Sequence, residues 1–482
     1  MLYKITLRNI LRNRRRSAMA VLALTIGALS LLLFGSFMAA MILGLKTSAI
    51  ASNGHLTVYR SGYLDYGSGN PGPYSIGRAA QVMALIQNDA VLKPLLTVVT
   101  PRVAVYGIAG NFELDRSKTF FGVGFVPSDR ERMLDWDEYR IRTGRSAEIQ
   151  SMSDADMTRG IIGVGLARIL GLCESLHLEP CPAAPRDVAT AASQPATSAT
   201  SQPIAPTPKR DFSALAQPDS VLDGQGTRSG PAARGAPSID LLAATTSGAP
   251  NVVSLNVGGT GEQAVKELDD NYVGMPLALA QQLLFGRGEH KVTSIVLQLR
   301  HTADMASARA RLAVLFKDNH LDLEAHDFIE LTPMYKQVIA LFGAIFCFIA
   351  LILGTIVLFA VTNTMSMTVV ERTHEIGTIR AMGVRRGGIW NQFFVEGSML
   401  GVLGASSGVV LAIGVAALVN HAGLHWTPPG YTDPVPLRLL VWAFPNLIFG
   451  TWVGLIATAA IAALLPARRA ARMPVVDALR HV

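Results

Sequence analysis

Residues 17–45 read SAMAVLALTIGALSLLLFGSFMAAMILGL, with no charge between Arg16 and Lys46. A helix needs about 20 apolar residues to cross a hydrocarbon core, so this stretch decides that the chain enters a membrane. A secretory signal core is only about 7–15 residues long. No small-x-small cleavage site follows at a signal-like distance, so the run is expected to stay as a transmembrane helix over 18–45.

Three more runs have the same character. They lie at 337–370, 393–420 and 439–467, and the run 393–420 holds a single acid, Glu396, near its start. The whole chain of 482 residues is half apolar and only 16% charged, where a soluble domain carries roughly 25% charged residues. That deficit excludes a disordered protein and an ordinary soluble enzyme. The expected fold is an integral membrane α-helical protein with four transmembrane helices.

The net charge of +7 is unevenly placed. Segments 1–17, 371–392 and 467–482 hold 14 bases against 3 acids, which leaves the rest of the chain at −4. Bases confined to the flanks of apolar runs orient a protein in a bilayer, so nucleic acid is not an expected partner. The positive-inside bias puts both termini and the 371–392 segment in the cytoplasm of an inner-membrane protein. Segment 46–336 and the loop 421–438 then face outward, and 468–482 forms a cytoplasmic tail. Within 1–17, Tyr3, Leu7, Ile10 and Leu11 follow helical spacing beside a basic face. That pattern suits an amphipathic helix on anionic membrane lipids; a plain basic anchor is the alternative.

The outward segment mixes two periodicities. Strand-like stretches fall at 56–60, 98–107, 119–126 and 292–299, and helix-like stretches at 79–92, 165–172, 276–285 and 306–316. A large α+β extracytoplasmic domain is therefore expected between the first two spans. From Pro182 to Pro250 the chain holds ten of its 25 prolines and one aromatic, Phe212. Such a composition cannot offset its ordering entropy, so 182–250 is expected to be a disordered insertion.

Three cysteines exclude a disulfide-dense scaffold. Cys173 and Cys181 both fall outside, where an oxidising compartment permits a bridge, and Cys347 lies inside the second span. The chain has no P-loop, G-x-S-x-G, H-E-x-x-H or C-x-x-C, so no catalytic residue is assigned. The glycines at Gly163–Gly165 and Gly258–Gly261 read as turns. His320, Asp322, Glu324 and His326 alternate like ligands along a strand, yet a solvated strand face explains the alternation equally, and no metal site is assigned. Glu396 stands out because acids within spans are costly; it follows Trp390, Phe393 and Phe394, and reaching the interface, pairing with an arginine or relaying protons are the options.

The stretch from Asn363 to Gly383 reads NTMSMTVVERTHEIGTIRAMG and continues through Arg385, Arg386, Ile389 and Phe393 to Glu396 and Gly397. It resembles the signature of the FtsX-like ABC transporter permease family, of the MacB and LolC/LolE type. Leu465 to Arg480, LPARRAARMPVVDALR, is similar to the same family's ending, and Leu7-Arg8-Asn9 with Arg12 fits its opening. Gly54-His55-Leu56 with Gly62-Tyr63-Leu64 looks closer to the lipoprotein-release branch. The resemblance implies an FtsX-like permease domain over 337–475 and a MacB-like periplasmic core domain over 46–336.

It also implies a dimer with a second permease subunit, identical or not, and a cytoplasmic ABC ATPase that holds ATP and Mg. A periplasmic adaptor or carrier is a further implied partner. The expected role is mechanotransmission for release or export of lipoproteins or other amphiphiles, with no ATP hydrolysis or cofactor in this chain. The alternative is a regulator that recruits cell-wall hydrolases. For ATPase coupling the residues are Glu371, Arg372, Glu375 and Arg380 as charges, Ile376 and Ile379 as apolar anchors, and Gly383 as the helix end.

Overall fold

The computed structural model describes residues 14–67, 69, 71–139, 151–179, 237–261, 263, 266–426 and 435–475. The expected amphipathic helix up to residue 13, Cys181 and most of the 182–250 insertion lie outside these residues. Four helices are long and apolar enough to cross a membrane. The first span is Arg14–Asn53, the second Pro333–Glu371, the third Arg386–Ala422 and the fourth Pro445–Arg472. Each outlasts its apolar run, because a helix continues past the last lipid-compatible residue until a breaker stops it. The fourth starts later than the expected 439: Val441–Ala443 forms a 3₁₀ turn, and Pro445 begins the helix at a position that needs no N–H donor.

Small residues set the packing of these spans. A Cβ on Gly397 or Gly401 of the third span would collide with Ala463 or Ala459 of the fourth. A Cβ on Gly404 or Gly408 would collide with Leu24 or Ala28 of the first. The third span therefore approaches two neighbours at backbone distance, where dispersion contacts replace the missing hydrophobic drive. Thr25 Oγ1 lies 2.6 Å from Ser407 Oγ, and Trp452 Nε1 donates to Ser406 Oγ at 3.0 Å. Such interhelical bonds average about 0.6 kcal/mol, so the glycine contacts decide the geometry. The second span is the least enclosed, with Leu341, Phe348, Leu351 and Phe359 exposed.

Between the first two spans the chain runs β1 (Leu56–Arg60), α1 (Ala79–Asn88), β2 (Leu96–Asn111), β3 (Arg116–Phe125) and α2 (Pro127–Leu134). It continues through β4 (Arg159–Ile162), α3 (Val164–Ile169), β5 (Ser238–Ala244), β6 (Pro250–Thr260) and α4 (Lys266–Asp269). The last elements are β7 (Tyr272–Pro276), α5 (Leu277–Phe285), β8 (Ser294–Leu299), α6 (Met305–Asp318), β9 (Leu323–Asp327) and α7 (Phe328–Leu331). These elements divide between two compact units, and β2 runs from one to the other.

The first unit contains the four spans and a small sheet in the order β2-β8-β1-β9. β1 pairs antiparallel with both neighbours, with Leu56 opposite Leu297 and Asp327. Helix α6 buries Ala308, Leu312, Leu315 and Phe316 at helical spacing, and its Arg311 forks onto Asp89 beyond α1 at 2.6 Å. That guanidinium and two backbone N–H donors hold the Asp89 carboxyl well down, at about 2.

The second unit is a mixed sheet in the order β3-β7-β4-β6-β5-β2, and β2 also pairs with β3. The six strands thus close into a ring, which leaves them no free edge. At its α3 end, the buried Asp269 carboxylate accepts from Val164 N at 3.2 Å and Gly165 N at 2.6 Å, which caps that helix. Gly163–Gly165 is accordingly a strand-to-helix turn, whereas Gly258 and Gly259 lie within β6 and not in a turn. Strand β5 corrects the expected insertion boundary. Ile239, Leu241 and Ala243 alternate inward and are buried, and Leu241 pairs with Val253. The average over a Pro- and Ala-rich window hid this period-two signal. Cys173 is buried and disulfide-bonded, while Cys347 is free.

Candidate functional site

The motif residues gather at one end of the bundle, where the second span gives way to a short helix. The second span stops at Arg372, whose backbone (φ −99°, ψ 15°) leaves the helical region. Thr373 opens α8 (Thr373–Ala381), and its hydroxyl donates back to Val370 O at 2.8 Å. Met382 follows, and Gly383 adopts a left-handed φ of 96° that stops the helix. Arg385 is extended, and the third span begins at Arg386.

Arg372 does not point to solvent as the sequence reading expected. Its Nη1 lies 3.2 Å from Glu396 Oε2 and 3.4 Å from Oε1, and both side chains are over nine-tenths buried. Glu396 is therefore neither an interfacial acid nor, in this arrangement, a lone proton carrier; it is the partner that makes a buried arginine tolerable. Two charges in an apolar bundle are costly, and removing one of them costs about 3–5 kcal/mol. The pair joins the end of the second span to the third span, at the residue next to the Gly397–Ala463 contact.

Ile376 is also turned inward. It is 3% exposed and packs in the bundle core with Ile389 and Phe393, while Ile379 is half-buried against the same core. Arg380 Nη1 donates to Met473 O at 2.6 Å and Ala471 O at 3.4 Å, capping the carbonyl end of the fourth span. Helix α8 is thus fixed to the third and fourth spans by its inner face. Its outer face presents Glu375, His374 and Thr378, with Glu371 just before it, all exposed. Of the seven residues assigned to coupling, Glu371, Glu375 and Gly383 remain at the surface, Arg380 and Ile379 are shared, and Arg372 and Ile376 are interior.

A second constellation, which the sequence reading had not given a role, lies at the opposite end of the spans. Gly54 has a φ of 74°, and a Cβ there would meet Leu297 O at 2.8 Å. This turn buries His55 completely. Its Nδ1 accepts from Leu299 N at 3.0 Å, so the ring proton is on Nε2, 3.3 Å from Thr302 Oγ1. Thr302 donates its hydroxyl to Glu138 Oε2 at 2.9 Å and its N–H to the same oxygen at 3.1 Å. Lys46, in the last turns of the first span, donates to Tyr139 Oη at 2.9 Å.

Burial pushes the His55 imidazole down to about 4, against an upward pull from Glu138. Burial alone would raise the Glu138 carboxyl, but hydrogen bonds from Thr302 and His301 outweigh it and hold the group below its ordinary value. Trp136 stands edge-on to His55 at 4.9 Å and donates to Arg300 O at 3.2 Å. Ile50, Phe328 and Tyr335 complete an apolar cluster with Trp136, tying the first and second spans to the β8–β9 region. Arg130 caps the first span by donating to Ser52 O at 2.7 Å.

The other candidates do not converge. His326 lies between Glu324 at 3.2 Å and Glu330 at 3.1 Å, Asp322 turns to Arg60, and His320 is in a left-handed turn before β9. Among the described residues no group of His, Cys, Asp and Glu could hold a metal ion.

Residues 347–475, from within the second span to just past the fourth, match the family model for the FtsX-like permease C-terminal domain. The macrolide export ATP-binding/permease protein MacB of Burkholderia lata is 27% identical over 239 residues, covering 48% of this chain and 32% of that protein. MacB of Brucella abortus is 30% identical over 42% of this chain and 29% of its own length. The pyoverdine export ATP-binding/permease protein PvdT of Pseudomonas syringae pv. syringae is 29% identical, with 44% and 30% covered. The chain spans about a third of the length of the curated relatives it matches. Four long apolar helices, a permease domain match across the last three and these relatives agree: residues 347–475 form an FtsX-like permease C-terminal domain, and the chain is similar to ABC transporter permeases of that type.

Proposed function

We propose that this chain is the multi-pass inner-membrane subunit of an ABC transporter, with both termini cytoplasmic and region 46–336 outside. A partner ATPase, which carries the ATP and Mg, docks on the exposed face of α8. A second permease subunit completes the transporter, with a periplasmic adaptor or carrier as a further partner. The substrate class is amphiphilic, lipoproteins among it. The relatives are named for macrolide in one case and pyoverdine in the other, so they favour export over recruitment of cell-wall hydrolases without choosing one cargo.

One observation carries the reading. Helix α8 and the Arg372 before it are held to the third span through Arg372–Glu396 and Ile376 and to the fourth through Arg380, while the outer face of α8 is polar and exposed. A push on such a helix moves the spans, because the joint has no slack. The first and second spans continue directly into β1 and out of α7, so motion at α8 reaches the outer region through covalent chain.

The test reverses the outer charges and leaves the inner face alone. Glu371→Lys with Glu375→Lys is expected to keep membrane insertion and melting behaviour, while weakening co-purification of the ATPase and its turnover in the reconstituted complex. Unchanged ATPase recovery and turnover would overturn the docking assignment. Arg380 is left intact because its reversal would detach α8 from the fourth span.

A further inference from the structure

We propose that the end of the fourth span is a binding site for an anionic phospholipid, with the headgroup phosphate on Arg468, Arg469 and Arg472 and an acyl chain along Leu465 and Ile461. An open groove of about 490 Å³ is lined there by Leu465, Arg468, Arg469, Arg472 and Met473. At 3.6 residues per turn, positions 461, 465, 468, 469 and 472 fall on one side of the helix. Ile461 and Leu465 are 56% and 60% exposed, and the three arginines that follow are exposed as well. The surface changes from apolar to cationic over roughly 16 Å of helix, which matches the run from acyl chain to phosphate.

The local charge favours an anion here. A helix C-terminus offers only about half a negative charge, and Arg380 already takes the carbonyls of Ala471 and Met473. Arg468, Arg469 and Arg472 have no acidic partner among the described residues. Arg468, Arg469 and Arg472 lie within about one turn of the fourth span and repel one another, which favours an anion from outside the described structure. Phosphate is the group that a guanidinium fork binds best. The apolar residues on the same face select a phosphate that carries hydrocarbon, since a free anion gains nothing from Leu465. Each arginine near an anionic surface contributes about 1 kcal/mol, so three together correspond to a preference on the order of a hundredfold.

The experiment uses the full chain in nanodiscs and by native mass spectrometry, with palmitoyl-oleoyl phosphatidylglycerol and phosphatidylcholine of the same chains as probes. The wild-type chain is expected to retain phosphatidylglycerol selectively. Arg468→Gln, Arg469→Gln and Arg472→Gln together should abolish the selectivity, while Arg385→Gln with Arg386→Gln, at the same end of the bundle, should leave it. A photoactivatable phosphatidylglycerol should crosslink wild-type chain within residues 461–473, a readout that holds even if the triple variant fails to insert. Equal retention of the two lipids by the wild type would overturn the site. So would crosslinks found only elsewhere, or equal loss in the Arg385/Arg386 variant. Full displacement by millimolar inorganic phosphate would assign the arginines to a soluble anion, and a site that appears only with the ATPase bound would assign them to that partner's acidic surface; either sinks the lipid proposal.

Discussion

The two ends of the spans are fastened by different chemistry. At the α8 end a buried ion pair, Arg372–Glu396, joins two helices. At the opposite end a chain of hydrogen bonds from Leu299 N through His55, Thr302 and Glu138 spreads the same task over several neutral or half-exposed groups. A single buried pair fails as a unit, because the survivor is a stranded charge. A relay loses one link at a time, each worth about 0.5–1.5 kcal/mol. The first design suits a stiff joint, and the second a clasp that can yield in steps.

The sharpest way to break this contrast is Glu396→Ala. Stranding Arg372 should cost about 3–5 kcal/mol, read as a large fall in melting temperature of the purified chain. Arg372→Met with Glu396→Leu should recover most of that loss. A single variant that melts within a degree or two of wild type would show that the pair is not the joint.

His55→Ala should cost less, about 1–3 kcal/mol, because it leaves the Leu299 N–H without an acceptor. His55→Asn, whose amide oxygen can replace Nδ1, should recover part of it. Full loss in both variants would place the effect in packing against Trp136 and not in the relay.

The same histidine gives a pH test. Its folded value of about 4 lies below the ordinary 6.5, so the unfolded chain binds the proton more readily. Stability is full above about pH 6.5 and falls as pH drops toward 4, by at most about 1.4 kcal/mol per pH unit. His55→Gln should flatten the profile over that window. An unaltered slope in the variant would assign the acid sensitivity to other groups.

The smallest effect on stability belongs to the outer face of α8. Glu375→Lys should leave the melting curve unchanged while altering ATPase recovery. A shift in melting as large as that of His55→Ala would mean that the outer face is structural.

The spans and the strands β1, β2, β3 and β8 were legible because each rests on a local signal: β1 at Leu56–Arg60 is rich in β-branched and aromatic residues, and each apolar run needs only its own length. Strand β5 was missed because its seven residues were averaged into a long Pro- and Ala-rich window. Arg372 was misread for a different reason. A charge at the edge of a span reads as solvent-facing, and its partner is 24 positions away on another helix. The clue was Glu396, an acid one turn inside its own span, which must meet the end of the antiparallel span that precedes it. His55 carried a weaker clue, a buried histidine announced only by the left-handed glycine before it.

The glycine contacts of the third span restrict its degrees of freedom. A helix held at backbone distance on two faces, by Ala459 and Ala463 on one and by Leu24 and Ala28 on the other, cannot roll about its own axis without driving side chains into those neighbours. Rotation is frozen, and the first, third and fourth spans move as a block. What remains is tilting of the loosely enclosed second span about the end that Arg372–Glu396 pins to that block.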